Sequence, residues 1–259
     1  MSYFGSTDWY ARIMKGEIPG HSIVHKFGAG NLTTTLSPIS QSLTYQTPTA
    51  AVALEIVSSS ANDALNNTGA HEYTITGLDA NWNEVTQVVT AHATNGTIAV
   101  AIPTSLIRLY QWYVSKSGAY ATATVGSHVG TLTVRVAGGG ATWSQIVVTP
   151  FPIGQSQIGV YTIPIGYTGY LLSKNTFVDT AKSADIYFFQ RPLANDVTTS
   201  FTGTMRLIQR EVGIKEGYNL RTVTPKGLFV GPCDIGFMGL VSVGTAECSV
   251  EFELLLIAS

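Results

Sequence analysis

Five histidines, one short acidic loop and a pair of spaced glutamates are the residues with most claim to chemistry in this chain. His21 and His25 lie four apart, the spacing that places two metal ligands on one helical face. Their spacer, Ser-Ile-Val, follows Pro19 and reads as extended chain, and the central Glu of the zinc-protease motif is absent. The pair is therefore expected to make ordinary polar contacts. Asp79-Ala-Asn81-Trp-Asn83-Glu84 alternates oxygen ligands as calcium loops do. Counting from Asp79, however, Glu84 falls where such loops need Gly, and Thr90 where they need Glu. The same residue types serve the backbone hydrogen bonds of a hairpin turn, and strong alternation on both sides favours the turn. Trp82 at its tip is then a candidate contact point for a neighbouring subunit or a sugar ring. Glu251 and Glu253 share one strand face about 7 Å apart, as two solvated outward positions do. Ala137-Gly138-Gly139-Gly140 has no helix after it and reads as a hairpin, not a phosphate loop. No Gly-x-Ser-x-Gly occurs, and no segment has the polar density that a catalytic pocket needs. The expectation is a non-enzyme with no catalytic, metal-binding or cofactor-binding residue.

The elements that would carry these residues are strands. Asp8 to Lys15 has the pattern of one or two helical turns, capped by Thr7 or Asp8 and stopped by Gly16, Pro19 and Gly20. Beyond residue 16 no convincing helical period appears. Gly20 to Gly28 reads as extended chain, and Tyr3, Phe4, Trp9, Tyr10 and Phe27 crowd the same region. Aromatic side chains need burial, so residues 1–40 are expected to form an arm laid over its own domain or a neighbour. From about 43 to 149, apolar residues alternate with period two between turn residues, in Val52-Leu54-Ile56, Tyr73-Ile75, EVTQVVTA, LIRLYQWYV, TLTVRV and WSQIVVT. Trp112 lies inside one of these runs and is expected in the core. Thr149-Pro150-Phe151-Pro152 is the best linker, since two prolines interrupt a sheet. A second series follows: QIGVYTIP, TGYLLSK, ADIYFFQRP, GTMRLIQREV, CDIGFMGLV and AECSVEFELLLIA. The last of these is expected to be a central strand. The fold expected is all-β: an N-terminal arm (1–40) and two β-sandwich or jelly-roll-like domains, 41–149 and 150–259.

Charge narrows the function classes. Charged residues make up 12% of the 259, about half of the roughly 25% usual for a soluble domain. A surface so poor in charge resists association weakly, so much of it is expected to be interface. A net charge of −2 gives no basic face for nucleic acid. Between Phe27 and Ile107 there is no Lys or Arg, while the span holds Glu55, Asp63, Glu72, Asp79 and Glu84. The basic residues resume at Arg108, an asymmetry that would let opposite faces of neighbouring subunits meet. The N-terminus lacks the pattern of a signal peptide, and no apolar run approaches a membrane span. Cys233 and Cys248 have no metal-site spacing and are expected as reduced, buried fillers.

Several strings carry a resemblance: Pro19-GHSIVHKFG-Gly28, Val57-SSSANDA-Ala64, Ile75-TGLDANWNE-Glu84, Tyr161-TIPIGYTGYLL-Leu172 and Ala184-DIYFFQRP-Pro192. Together they resemble virion structural proteins of tailed bacteriophages of aquatic bacteria, cyanophages among them. The resemblance implies a β protein built into the particle and assembled in the host cytoplasm; it carries over no functional residue. The leading expectation is a capsid decoration (cement) protein, a homotrimer packed against itself and against the major capsid protein or other virion proteins. Tyr3, Phe4, Trp9, Tyr10, His21, Ile23, His25, Phe27 and Trp82 are the candidate interface residues. A tail nozzle, adaptor or fibre-attachment subunit is the alternative, and a carbohydrate-binding module for host recognition is the third reading.

Overall fold

A computed structural model describes residues 6–149, 152–179, 181–196 and 205–259. Tyr3 and Phe4 lie outside the described residues, as do Pro150 and Phe151 of the expected linker. The chain is all-β. Helix α1 (Ser6–Met14) precedes β1 (His21–Leu32), β2 (Ser37–Pro38), β3 (Leu54–Ser58), β4 (Ala70–Leu78), β5 (Glu84–Thr90), β6 (Val100–Ala101) and β7 (Arg108–Ser117). A single-turn helix, α2 (Tyr120–Ala123), then leads to β8 (Leu132–Val136) and β9 (Thr142–Ile146). The second half holds β10 (Val160–Ile163), β11 (Tyr167–Val178), β12 (Ala184–Pro192), β13 (Arg206–Ile214), β14 (Glu216–Val230), β15 (Cys233–Val241) and β16 (Ala246–Ala258).

These strands make four sheets, where the spacing pointed to two jelly-roll-like domains. Sheet one runs β1-β16-β11-β14; sheet two runs β10-β15-β12-β13, with β2 on β15. Sheet three runs β6-β3-β8-β9 and sheet four β5-β4-β7. Alternation sorts the side chains: Leu54, Ile56 and Ser58 of β3 point inward while Glu55 and Val57 do not. One apolar cluster gathers sheets one and two, with Phe188, Phe237, Phe252 and Val250 at its heart, and reaches Leu78, Ile107 and Tyr110 from the first half. A second gathers sheets three and four around Trp112, Tyr73, Leu132 and Trp143. Trp112 is fully buried and its indole N–H donates to Ser144 Oγ at 2.9 Å, so the core placement read from its strand is the one observed.

The region expected as an arm is built into its own chain. β1 pairs with β16 along its whole length, from His21↔Ile257 to Leu32↔Ala246, and β2 extends the edge of β15 beyond β10. β16 is central, flanked by β1 and β11. Its apolar inward row, Val250, Phe252, Leu254 and Leu256, is what two flanking strands and a facing sheet require. The loop of Asp79 to Asn83 is the hairpin turn between β4 and β5. Asp79 Oδ1 accepts from the backbone N–H groups of Asn81 and Asn83 at 2.8 and 3.0 Å. Gly138 and Gly139, at φ +81° each, turn the chain between β8 and β9. Their N–H groups reach Glu55, whose carboxyl is held below its ordinary range by those bonds and by Arg135.

Candidate interaction surface

The residues proposed from sequence fall into two environments. On the outer face of sheet one, α1 lies against β1, with Ile13 buried, Trp9 and Met14 exposed, and Tyr10 donating to Glu253 Oε1 at 2.9 Å. Ser173 Oγ donates to the other oxygen of Glu253 at 3.0 Å. One row away, His25 Nε2 meets Glu251 Oε1 at 2.7 Å and Asn175 Nδ2 donates to Glu251 Oε2 at 3.2 Å. The His25 contact, then Asn175, keeps the Glu251 carboxyl below its usual range. Ile23 and Phe27 share the outward side of β1, half-buried and exposed respectively. His21 turns back to the carbonyl of Pro19 at 3.0 Å. The outer face is thus a laced ladder of polar pairs framed by Trp9 and Phe27. Glu251 and Glu253 are structural members of it, each engaged by two neighbours.

Trp82 sits elsewhere and behaves differently. It is half-buried, not an open tip, and the Arg108 guanidinium stacks 4.8 Å from its ring centre. Its φ of +64° is a left-handed conformation that bulky residues seldom adopt, at a cost of roughly 1 kcal/mol. That turn places the indole against Arg108.

Arg108 opens a feature that sequence reading missed. From the start of β7 it enters the second half of the molecule, donating to Asp234 through Nε (3.0 Å) and Nη2 (3.3 Å). Arg191 of β12 donates to Asp234 Oδ2 through Nε at 2.8 Å, and Thr162 Oγ1 donates to Oδ1 at 2.6 Å. Tyr45 hydrogen-bonds Thr162 at 2.7 Å. Burial alone would raise the Asp234 carboxyl, yet the two guanidiniums bring it below its ordinary range. Arg108 also donates to the carbonyls of Ile107 and Pro48, so the group is fully hydrogen-bonded, as a buried charge must be. Beside it, Lys26 points inward from β1 to the carbonyl of Tyr110. Burial pushes its amine down to about 7, against the opposing pull of Glu84. Glu84 accepts from Tyr110 (2.6 Å) and Tyr161 (3.4 Å), and the whole lines a small cleft of about 180 Å³. This is a polar clamp between the halves of the chain.

A surface with several exposed apolar groups among the described residues was also missed. β13 pairs only with β12 and β14 only with β11 among the described residues, and a single residue, Lys215, joins the two strands. Leu207, Ile208 and Val212 of β13 and Leu228 and Val230 of β14 stand exposed, Val212 and Leu228 at 64% each. Free strand edges are templates for another chain unless charge or proline blunts them. β14 carries Pro225 and Lys226; β13 carries no proline, and its Arg210 is held by Asp185 at 2.9 Å. The alternating signal of GTMRLIQREV announces the strand, but nothing local announces that Leu207, Ile208 and Val212 stand exposed among the described residues.

Among the described residues no group of three or more His, Cys, Asp or Glu is placed to hold a metal ion, and no helix is long and apolar enough to cross a membrane. Cys233 and Cys248 are buried and free, each thiol pushed up to about 12 by burial. An open groove of about 460 Å³ between residues 38–48 and the β8–β9 hairpin is lined by Tyr45, Pro48, Val136 and Trp143.

No family model and no curated protein matches the sequence. Among solved structures, one of the Gx strain of infectious bursal disease virus is similar at 10% identity, with 96% of this chain and 82% of that chain covered and a TM-score of 0.24. A VP2 subviral particle of infectious bursal disease virus is similar at 11% identity over 96% and 82% of the two chains, with a TM-score of 0.16. At such scores the likeness carries no inference about fold or function.

Proposed function

We propose that the chain is a structural subunit of a viral particle, a capsid decoration protein of a tailed phage that acts by packing and catalyses nothing. The observation that carries the reading is the set of exposed apolar side chains on β13 and β14, whose outer edges are unpaired among the described residues, on a chain with half the usual charge. The viral setting rests on the string resemblance to tailed-phage virion proteins. In this reading the partners are further copies of the chain, as a homotrimer, and the major capsid protein. Its two apolar clusters are the cores of two β-sandwiches, 41–149 and 150–259, with β1 and β2 joined to the second. Nucleic acid, membrane and cofactors play no part in it.

Aligned edges favour pairing because main-chain hydrogen bonds add to apolar burial. A standard interface buries about 800 Å² per partner, and repeated weak contacts on a shell add through multivalency. Light scattering after size exclusion tests the reading on the wild-type chain and on Val212→Lys/Leu228→Lys. Both positions are exposed, so the variant keeps its fold. The wild type is expected as a trimer and the variant as a monomer with an unchanged circular dichroism spectrum. A wild type that stays monomeric at all concentrations, or a variant that assembles equally well, would overturn the proposal. A ring of six or twelve would move the protein to the tail.

A further inference from the structure

The core between sheets one and two is interrupted by polar groups beneath the β13 edge. An amine, a carboxylate, a carboxamide and a hydroxyl meet there: Lys174 and Thr176 from β11, Gln209 and Glu211 from β13. The Lys174 side chain is 1% exposed and that of Glu211 9%. Lys174 Nζ donates to Glu211 Oε1. Gln209 Nε2 donates to the same oxygen at 3.1 Å, and Thr176 Oγ1 to Oε2 at 3.1 Å. The rings of Phe188 and Phe237 lie 6.0 and 5.7 Å from Nζ. Gln209 and Glu211 are two apart in one strand, hence on one face.

An ion pair buried among phenyl rings seldom stabilises a fold over apolar residues of the same volume. Desolvation by burial, with Glu211 opposing, lowers the pKa of Lys174, and a proton passed from Nζ to Glu211 along their contact leaves a neutral amine beside a protonated carboxyl. A neutral amine is a nucleophile, a carboxamide is an electrophile, and a carboxyl in contact with both nitrogens can carry a proton between them.

We propose that Lys174 and Gln209 condense into an intramolecular isopeptide bond that ties sheet one to sheet two, with Glu211 as the proton carrier. The Nζ lone pair attacks Cδ of Gln209 and the Nζ–Cδ bond forms. The Glu211 acid gives its proton to Nε2, the Cδ–Nε2 bond breaks, and ammonia leaves. Glu211 recovers a proton from Nζ, so the carboxyl ends as it began. No oxidant, reductant or other co-reactant is needed. The product replaces a buried amine by a neutral amide whose N–H still has Glu211 as acceptor.

Intact mass and peptide mapping of the purified full-length chain test the assignment. The expected result is a mass lower by one ammonia and a cross-linked peptide joining Lys174 to Gln209, absent in Glu211→Gln and Lys174→Met. An unmodified mass overturns the proposal. So does loss of water with a peptide joining Lys174 to Glu211, which would make Glu211 the acceptor. Should the variants fail to fold, the wild-type peptide map decides alone; a cross-link that persists in a folded Glu211→Gln chain removes Glu211 from its role.

Discussion

Replacing Asp234 by Ala withdraws the one carboxylate from between two guanidiniums that have no solvent to turn to. Arg108 and Arg191 are each 1% exposed and Asp234 is 0% exposed. Breaking a buried ion pair by removing one partner costs about 3–5 kcal/mol, because the remaining charge is left uncompensated. Here a single carboxylate serves two arginines and Thr162, which argues for the upper end. Arg108 keeps the carbonyls of Ile107 and Pro48, while Thr162 Oγ1 loses the carboxylate oxygen it donates to. Urea unfolding followed by tryptophan fluorescence reads the loss, since Trp82 stacks on Arg108. With a slope of about 3 kcal/mol/M, a loss of about 4 kcal/mol lowers the midpoint by more than about 1 M. A paired replacement of all three charges by apolar residues should recover most of it. The same group sets an acid limit. The folded pKa of Asp234 lies below the ordinary 3.8. Its stabilisation is therefore complete above the unfolded value and is lost as pH falls through the folded one. A loss below about 1 kcal/mol in Asp234→Ala would refute the argument that these charges clamp the halves together.

Lys26 predicts a pH dependence of opposite sense. Its folded pKa is lowered from 10.5 to about 7, so between those values the unfolded chain binds a proton that the native chain does not. Stability attributable to Lys26 therefore rises with pH across that window, by up to about 1.4 kcal/mol per pH unit. The stability difference between wild type and Lys26→Met, measured by urea titration at pH 7.5 and 9.5 (on the order of two units apart), should shift in favour of the wild type at the higher pH; parallel curves contradict it. Asp63, fully buried, accepts from the N–H groups of Ala70, Val129 and Gly130 and from Ser58 Oγ. Asp63→Ala leaves several buried donors unpaired and should cost about 3 kcal/mol or more, read as a drop in thermal midpoint; an unchanged midpoint would show that water replaces the carboxylate.

Local patterning made much of this architecture legible. The Asp79–Asn83 turn, the Gly138-Gly139 hairpin, the buried Trp112, the free cysteines and the central place of β16 follow from alternation, turn chemistry and side-chain size. β14 was not legible, because Asn219, Pro225 and Gly227 break the strand pattern. They are tolerated at an edge, where one side of the backbone needs no partner, and Gly227 takes a φ of +78° near the shifts in register with β11. The Arg108–Asp234 pair joins residues 126 apart, and no local pattern records which distant charge a buried arginine will meet. Trp82 looked free because its turn is short and polar; its left-handed φ, which sequence does not show, is what sends the ring inward.

The account rests on β13 and β14 being covered by another copy of the chain, and hydrogen exchange at each amide tests that most directly. Exchange is followed on dilute and on concentrated protein. The account predicts that the outward amides of β13 gain protection as the chain assembles, while those on the outer edge of β1 do not. Amides of β13 that exchange equally fast at both concentrations would contradict it, and protection appearing on β1 would return the interface to the N-terminal strand.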